Sequence, residues 1–260
     1  MNRDVLMPLP DHDFDVTEVA VPWKLLTQAG YRVVFATEQG AAPAADPLLL
    51  RGVIFGKLGA RPAASACYRA LETTPAVTAP RRWRELEPSD FAGLFLPGGH
   101  APGMKQYLGS SELHAWIARF WATGRPVAAI CHGVLALARA TDPAGRSVLH
   151  DRRTTCLPKY MERTAYLLTF WKLGRYYRTY PAYVEDEVRA ALADPSQLVR
   201  GPRTLVARGT LEDDAPAFVV EDGSYVSARW PGDSYLVTRR FIACLGAAGA
   251  ELGAHAESAR

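Results

Sequence analysis

Residues 91–140 read FAGLFLPGGHAPGMKQYLGSSELHAWIARFWATGRPVAAICHGVLALARA, and this stretch decides the fold. In its second half an apolar run, Val127–Ile130, reaches Cys131 and turns at once into a helical pattern. A strand that turns into a helix at a nucleophilic residue is typical of a nucleophile elbow. Gly133 fits this interpretation because a glycine keeps a crowded turn clear of a side chain.

The position of Cys131 predicts a reactive thiol. The free N–H groups and the dipole of a helix N-terminus favour an anion there. A thiol pKa of about 8.5 falls to roughly 3.5–7.5 in such places, so we expect a thiolate at neutral pH. The preceding strand ends in Pro97-Gly98-Gly99-His100, a loop able to point backbone N–H groups at an oxyanion. We therefore predict Cys131 as the nucleophile.

Composition narrows the class of protein. The 260 residues are 48% apolar, with 30 basic and 27 acidic side chains, which suits one enlarged α/β domain with a substantial core. A net charge of +3 with scattered arginines argues against a nucleic-acid partner. No apolar window is long enough to span a membrane, and the N-terminus is not typical of a secretory signal. The four cysteines are widely spaced and show no metal-ligand spacing, which predicts free thiols in a cytoplasmic protein without a cofactor.

The order of elements predicts a parallel sheet. A strand over 4–9, a helix capped by Asp15 with Glu18 three residues later, and a strand over 31–37 form a βαβ unit. Further along we expect helices over 63–73 and 111–123, a strand over 152–157, a hairpin around Asp222-Gly223 and a last helix over 236–247. The fold class is therefore α/β, as a single domain over residues 1–247 followed by a disordered tail over 248–260.

An aromatic-rich segment over about 159–193 interrupts this pattern. Its periodicity predicts two helices, which are an insertion that could cap the elbow or be ordinary packing. His12 and His100 are expected to be loop histidines, either of which could line the mouth of the site.

Taken together, the motifs resemble the ThiJ/PfpI superfamily. They are Glu18 in the first helix, Pro97-Gly98-Gly99 after a strand, Cys131-His132-Gly133 at the elbow, and Pro231-Gly232 before the last helix. The resemblance covers residues 4 to about 247 and is greatest to the larger heat-shock chaperone and glyoxalase III branch. It implies a flavodoxin-like, mostly parallel sheet with helices on both faces, and possible homodimers.

The resemblance also implies roles for individual residues. Cys131 would be the nucleophile, Glu18 would place its carboxyl beside the thiol, and His132 would match the general base. Backbone N–H groups of Gly98, Gly99 and His132 would bind the oxyanion. The acid that orients the histidine in that branch is replaced here by Lys159, and Glu162, one helical turn on, could substitute for it.

Three functions follow as alternatives. The first is a cysteine-dependent enzyme acting on a small carbonyl compound or its adduct, as a glyoxalase III-like lyase or glycation-repair hydrolase. The second is a thioester-forming hydrolase or amidotransferase-like enzyme that uses Cys131, His132 and Glu162. The third is a non-catalytic stress chaperone or redox sensor. The pair His255 and Glu257 matches the H-x-E motif of glutamine amidotransferases, but we expect no role for it in an Ala-rich tail.

Overall fold

A computed structural model describes residues 2–54, 58–178 and 180–258, with side chains described as far as residue 250. The strands are β1 (Asp4–Pro8), β2 (His12–Phe14), β3 (Arg32–Thr37), β4 (Ala44–Ala45), β5 (Arg81–Arg82), β6 (Gly93–Leu96), β7 (Val127–Ile130), β8 (Val219–Asp222) and β9 (Tyr225–Ala228). The helices are α1 (Val16–Gln28), α2 (Pro47–Arg51), α3 (Pro62–Leu71), α4 (Pro75–Thr78), α5 (Met104–Gly109), α6 (Ser111–Trp121), α7 (Gly133–Arg139), α8 (Lys159–Leu173), α9 (Val184–Ala190) and α10 (Ser234–Ser258).

Seven strands form one sheet in the order β5-β3-β1-β6-β7-β9-β8. Every neighbouring pair is parallel except β8 and β9, which form the antiparallel hairpin predicted around Asp222-Gly223. The chain leaves β1 towards β3 and returns on its other side as β6, so the strand order reverses between β1 and β6. In open α/β sheets, ligand sites lie outside the carboxyl ends of the strands at such a reversal.

Continuous apolar runs explain the central strands. All residues of β6 (GLFL) and β7 (VAAI) are buried, as expected for parallel strands covered on both faces. In one group of helices α1 contacts both α3 and α10, and in a second group α7 contacts α5, α6 and α9. The flavodoxin-like α/β class predicted from the sequence is confirmed.

Two elements differ from the predictions: one expected strand does not form, and the last helix is longer than expected. The predicted strand over 152–157 is wrong, since this segment makes only an isolated bridge between Thr154 and Leu198. Side chains take up its backbone donors instead: the Arg153 N–H donates to Asp222 and the Thr155 N–H donates to Ser227. The last helix also continues to Ser258, past the end predicted at residue 247 and into the segment for which disorder was expected. The single-domain organisation stays a prediction.

The 159–193 segment contains the two predicted helices, α8 and α9. The buried Glu162 carboxylate links them, because it accepts from the Arg178 guanidinium at 2.7 Å and from the Val184 N–H at 3.1 Å. Helix α9 also packs against α7, the helix that follows the predicted nucleophile. Among the described residues, no helix is both long enough and apolar enough to cross a membrane.

Candidate active site

Cys131 occupies the turn between β7 and α7. Its φ of 59° lies in the left-handed region, which is uncommon for a residue with a side chain. The Cys131 N–H donates to the Ala228 carbonyl of β9 at 3.0 Å, and this bond ties the turn to the sheet. A Cβ at Gly133 would lie 2.2 Å from the Leu96 carbonyl oxygen, so only glycine fits there. The strand, turn and helix of a nucleophile elbow are therefore all present.

Glu18 reaches the elbow from α1. Asp15 caps this helix by accepting from the N–H groups of Thr17 at 2.7 Å and Glu18 at 3.1 Å, as predicted. The Glu18 side chain is fully buried, and its Oε2 accepts from the Gly98 N–H at 2.8 Å. Its Oε1 has no partner of good hydrogen-bond geometry among the described residues, but the carboxyl interacts with the Cys131 thiol beside it. The structure thus brings Glu18 and Cys131 together.

The electrostatics of this pair differ from the prediction. Burial raises the pKa of the Cys131 thiol well above its ordinary value, and the Glu18 and Asp15 carboxyls raise it further. Burial and the neighbouring Asp15 likewise raise the pKa of Glu18. The sequence predicted a lowered thiol pKa, and the direction found is the opposite. Desolvation and two acidic neighbours disfavour the thiolate in this arrangement.

His132 is buried against a second histidine. Its Nδ1 lies 3.5 Å from Cys131 Sγ, and its ring meets the His100 ring edge-on with centroids 4.6 Å apart. The His100 ring also meets the ring of Tyr177, from the 159–193 segment, edge-on with centroids 5.9 Å apart. Burial lowers the pKa of His132 well below its ordinary value, and burial lowers the pKa of His100 to about 4. Both imidazoles are therefore neutral at pH 7.

The third member of the predicted triad lies elsewhere. One oxygen of Glu162 accepts from Arg178 and the other accepts from the Val184 N–H, and neither makes a hydrogen bond to His132 among the described residues. The Lys159 ammonium pairs with Asp186 at 2.6 Å, so it is also directed away from the imidazole. The structure therefore places Cys131, His132 and Glu18 together but assigns Glu162 to holding α8 and α9.

The glycines predicted to bind an oxyanion, Gly98 and Gly99, are closely packed, and one of their N–H groups is already hydrogen-bonded. The Gly98 N–H already donates to Glu18, so in this arrangement it is occupied. A Cβ on Gly98 would lie 2.7 Å from the His132 nitrogen, which shows how closely the two loops approach. A Cβ on Gly99 would meet the Asp13 carbonyl at 2.8 Å. Close packing explains both glycines, and their role towards an oxyanion stays a prediction.

Two further features were not predicted as parts of the site. Asp15 was identified only as a helix cap, but it is buried, and that burial raises its pKa to about 6. Tyr177 was predicted only as part of an aromatic-rich segment. Its hydroxyl donates to Asp46 at 2.9 Å, and its ring contacts the His100 ring edge-on. The aromatic periodicity was the available signal for Tyr177, but it does not specify a partner. His255 and Glu257 lie outside the residues whose side chains are described.

The donor atoms of His100, Cys131 and His132 lie within 4.8 Å of one another. This cluster could hold a metal ion, although the chain spacing of its members matches no metal motif. The site as a whole therefore offers a buried thiol with a raised pKa, a buried carboxyl with a raised pKa, and two neutral imidazoles. Such a set can form a covalent adduct at sulfur and move a proton at an adjacent atom.

Comparison with known proteins agrees with this architecture. A family model described as ThiJ/PfpI family-like matches residues 9–202. A deglycase of Pyrococcus abyssi is 28% identical over 89% of this chain and 93% of its own length, and the deglycase PfpI of Pyrococcus furiosus is 26% identical over 91% and 96%. Among solved structures, glyoxalase III from Candida albicans superposes with a TM-score of 0.66 at 18% identity, covering 93% of this chain and 96% of that one. That likeness concerns the fold, whereas the match of the family model covers most of the chain. The protein belongs to the ThiJ/PfpI family.

Proposed function

We propose that this protein is a cytoplasmic, cysteine-dependent enzyme that acts on a small carbonyl compound or its adduct. Its activity would be that of a glyoxalase III-like lyase or a glycation-repair hydrolase. The observation that carries the proposal is the position of Cys131 at a left-handed turn beside the buried Glu18 carboxyl. The names of the deglycase relatives support the same class of substrate.

The first step is the addition of the thiol to an aldehyde. Cys131 Sγ forms a bond to the aldehyde carbon, the C=O electron pair moves to oxygen, and the thiol proton passes through Glu18 to that oxygen. The product is a neutral hemithioacetal. The raised pKa of Glu18 suits this shuttle, because its carboxylate is a stronger base than a solvated one.

With glyoxal, a second proton transfer completes the reaction. A base, Glu18 or the neutral His132, removes the proton from the hemithioacetal carbon while the neighbouring carbonyl oxygen gains one, which gives an enediol. The hydroxyl on the sulfur-bearing carbon then loses its proton as the neighbouring carbon gains one. This gives a thioester of glycolic acid, which water hydrolyses to glycolate and the free thiol. The net reaction adds one water to glyoxal and needs no oxidant. A single competent base is sufficient, so the missing contact between His132 and Glu162 does not prevent it.

The test is glyoxal turnover followed by NMR. We expect glycolate from the wild type, none from Cys131→Ala, and a loss of roughly 100-fold or more from Glu18→Gln, the usual contribution of general acid–base catalysis. Cys156→Ala is the control, since Cys156 is also a buried free cysteine but lies outside the site. If methylglyoxal and glyoxal are both untouched, release of free amine from a glycated amino acid tests the hydrolase form. Loss of either substrate at equal rates in wild type and Cys131→Ala would refute the proposal.

One observation favours a second function, that of a holding chaperone. Helix α8 exposes four large apolar side chains, with Leu167 56% and Trp171 60% exposed alongside Leu168 and Phe170. Exposed apolar patches of this kind mark interaction sites. Replacement of Leu167 and Trp171 by serine should abolish the suppression of aggregation of a heat-denatured client while Cys131→Ala retains it. Equal suppression by both variants would contradict this role for α8.

A further inference from the structure

We propose that His100, Cys131 and His132 form a binding site for Zn²⁺, and that the bound ion occupies the sulfur which would otherwise act as the nucleophile. The three side chains contribute one thiol and two imidazoles, a donor set that Zn²⁺ prefers. They come from two different loops, the one that follows β6 and the one that follows β7. The fold therefore assembles the cluster even though the chain spacing predicts no metal site.

The distances agree with tetrahedral coordination. Zn–S and Zn–N bonds of about 2.3 and 2.0–2.1 Å at a tetrahedral angle place sulfur and nitrogen about 3.5 Å apart. Cys131 Sγ and His132 Nδ1 are separated by 3.5 Å. The third donor, on His100, completes a set whose members all lie within 4.8 Å of one another.

Acidic side chains lie beside the sulfur. The buried Glu18 and Asp15 carboxyls are both close enough to act electrostatically on Cys131. Two guanidinium groups, Arg139 and Arg178, act on His132. Each of these is neutralised by an ion pair, with Glu187 at 2.5 Å and with Glu162 at 2.7 Å respectively.

The cluster lies largely inside the protein. Cys131 and His132 are buried, and His100 is half-buried. Three protein ligands leave a fourth position for water, which is the coordination of an open zinc site. Since the sulfur would be bound to zinc, it could not add to an aldehyde. The inhibitory part of this inference rests on the proposed function, but the binding part does not.

The binding test uses Co²⁺ as a spectroscopic probe and Zn²⁺ as its competitor. The wild type should bind one Co²⁺ with a thiolate-to-cobalt charge-transfer band, and Zn²⁺ should displace it. Cys131→Ser should lose the band, and His100→Gln and His132→Gln should each weaken Zn²⁺ binding by more than about tenfold. Cys67→Ala, which removes a partly exposed thiol outside the site, should bind as the wild type does. Unchanged affinity in the three ligand variants would overturn the site.

A second measurement needs no variant and therefore no assumption about folding. Zn²⁺ should protect Cys131 of the wild type from alkylation, with the modified residues identified by mass spectrometry, while Cys67 stays reactive. Equal alkylation of Cys131 with and without Zn²⁺ would refute the site. If Zn²⁺ protects Cys131 but glyoxal is not a substrate, the metal site stands and the proposed function fails. If glyoxal is turned over and Zn²⁺ neither protects nor inhibits, the proposed function stands and the metal site fails.

Discussion

Asp15 offers a quantitative test of the electrostatics around the nucleophile. Burial raises its pKa from 3.8 to about 6, so the folded protein holds this proton more tightly than the unfolded chain. The stability that the protonated form provides is complete below pH 3.8 and is lost as the pH rises towards 6. A shift of about two pKa units corresponds to about 3 kcal/mol in the free energy of unfolding.

The perturbation is Asp15→Asn, which keeps an oxygen for capping α1 but cannot ionise. The difference in free energy of unfolding, variant minus wild type, should increase by about 3 kcal/mol between pH 3.5 and pH 7. The Asp15 carboxylate is one cause of the raised pKa of Glu18, so Asp15→Asn also reduces that shift. This second effect changes the difference in the same direction. The assay is urea denaturation of both proteins across this pH range.

Asp194→Asn is the matched control. Asp194 also caps a helical turn, by accepting from the Ser196 N–H at 2.7 Å, but it is exposed and its backbone hydrogen bond lowers its pKa. A group with a lowered pKa stabilises the fold above its unfolded pKa, and this stabilisation is lost as the pH falls. The difference in free energy of unfolding, Asp194→Asn minus wild type, should therefore decrease between pH 3.5 and pH 7. A difference for Asp15→Asn that does not vary with pH would refute the reasoning.

Three further predictions concern the site and its support. Gly133→Ala should fail to fold or lose several kcal/mol in urea denaturation, because its Cβ would lie 2.2 Å from the Leu96 carbonyl oxygen; a Tm close to wild type would contradict this. Glu162→Gln should lower the free energy of unfolding by about 3 kcal/mol, as for a broken buried ion pair, yet keep measurable glyoxal turnover; a loss as complete as that of Cys131→Ala would restore the triad. Alkylation of Cys131 should be slow at pH 7 and accelerate in Glu18→Gln, since the carboxyl raises the thiol pKa; equal rates would show that Glu18 has no such influence.

Local patterns were sufficient for most of the fold. The apolar run of β7 and the turn at Cys131-His132-Gly133 predict a buried parallel strand and an elbow from adjacent residues alone, and the structure contains both. The strand expected over 152–157 failed because its backbone donors bond to Asp222 and Ser227, which lie far along the chain. Sequence periodicity carries no information about such distant side-chain acceptors.

In the candidate site, too, local motifs indicate the residues, whereas their pKa values and long-range contacts depend on the fold. Glu18 and Cys131 could be identified from motifs, but their pKa values depend on burial and on Asp15, which only the folded arrangement determines. The contact between His100 and His132 joins two loops from different strands and has no signature in the spacing of the residues. Sequence reasoning therefore placed Cys131 and Glu18 in one candidate site but missed the direction in which the pKa of the thiol is shifted.

The pairing of β7 with β9 has a consequence for synthesis on the ribosome. The two strands begin about 98 residues apart, which corresponds to roughly 5–20 s of translation. Throughout that interval the side of β7 that does not pair with β6 is an open apolar edge, exposed to aggregation or to capture by a chaperone. The bond from the Cys131 N–H to Ala228 also forms only when β9 arrives. The turn at Cys131 therefore reaches its final hydrogen bonding only after β9, the last strand in the sequence, has been synthesised.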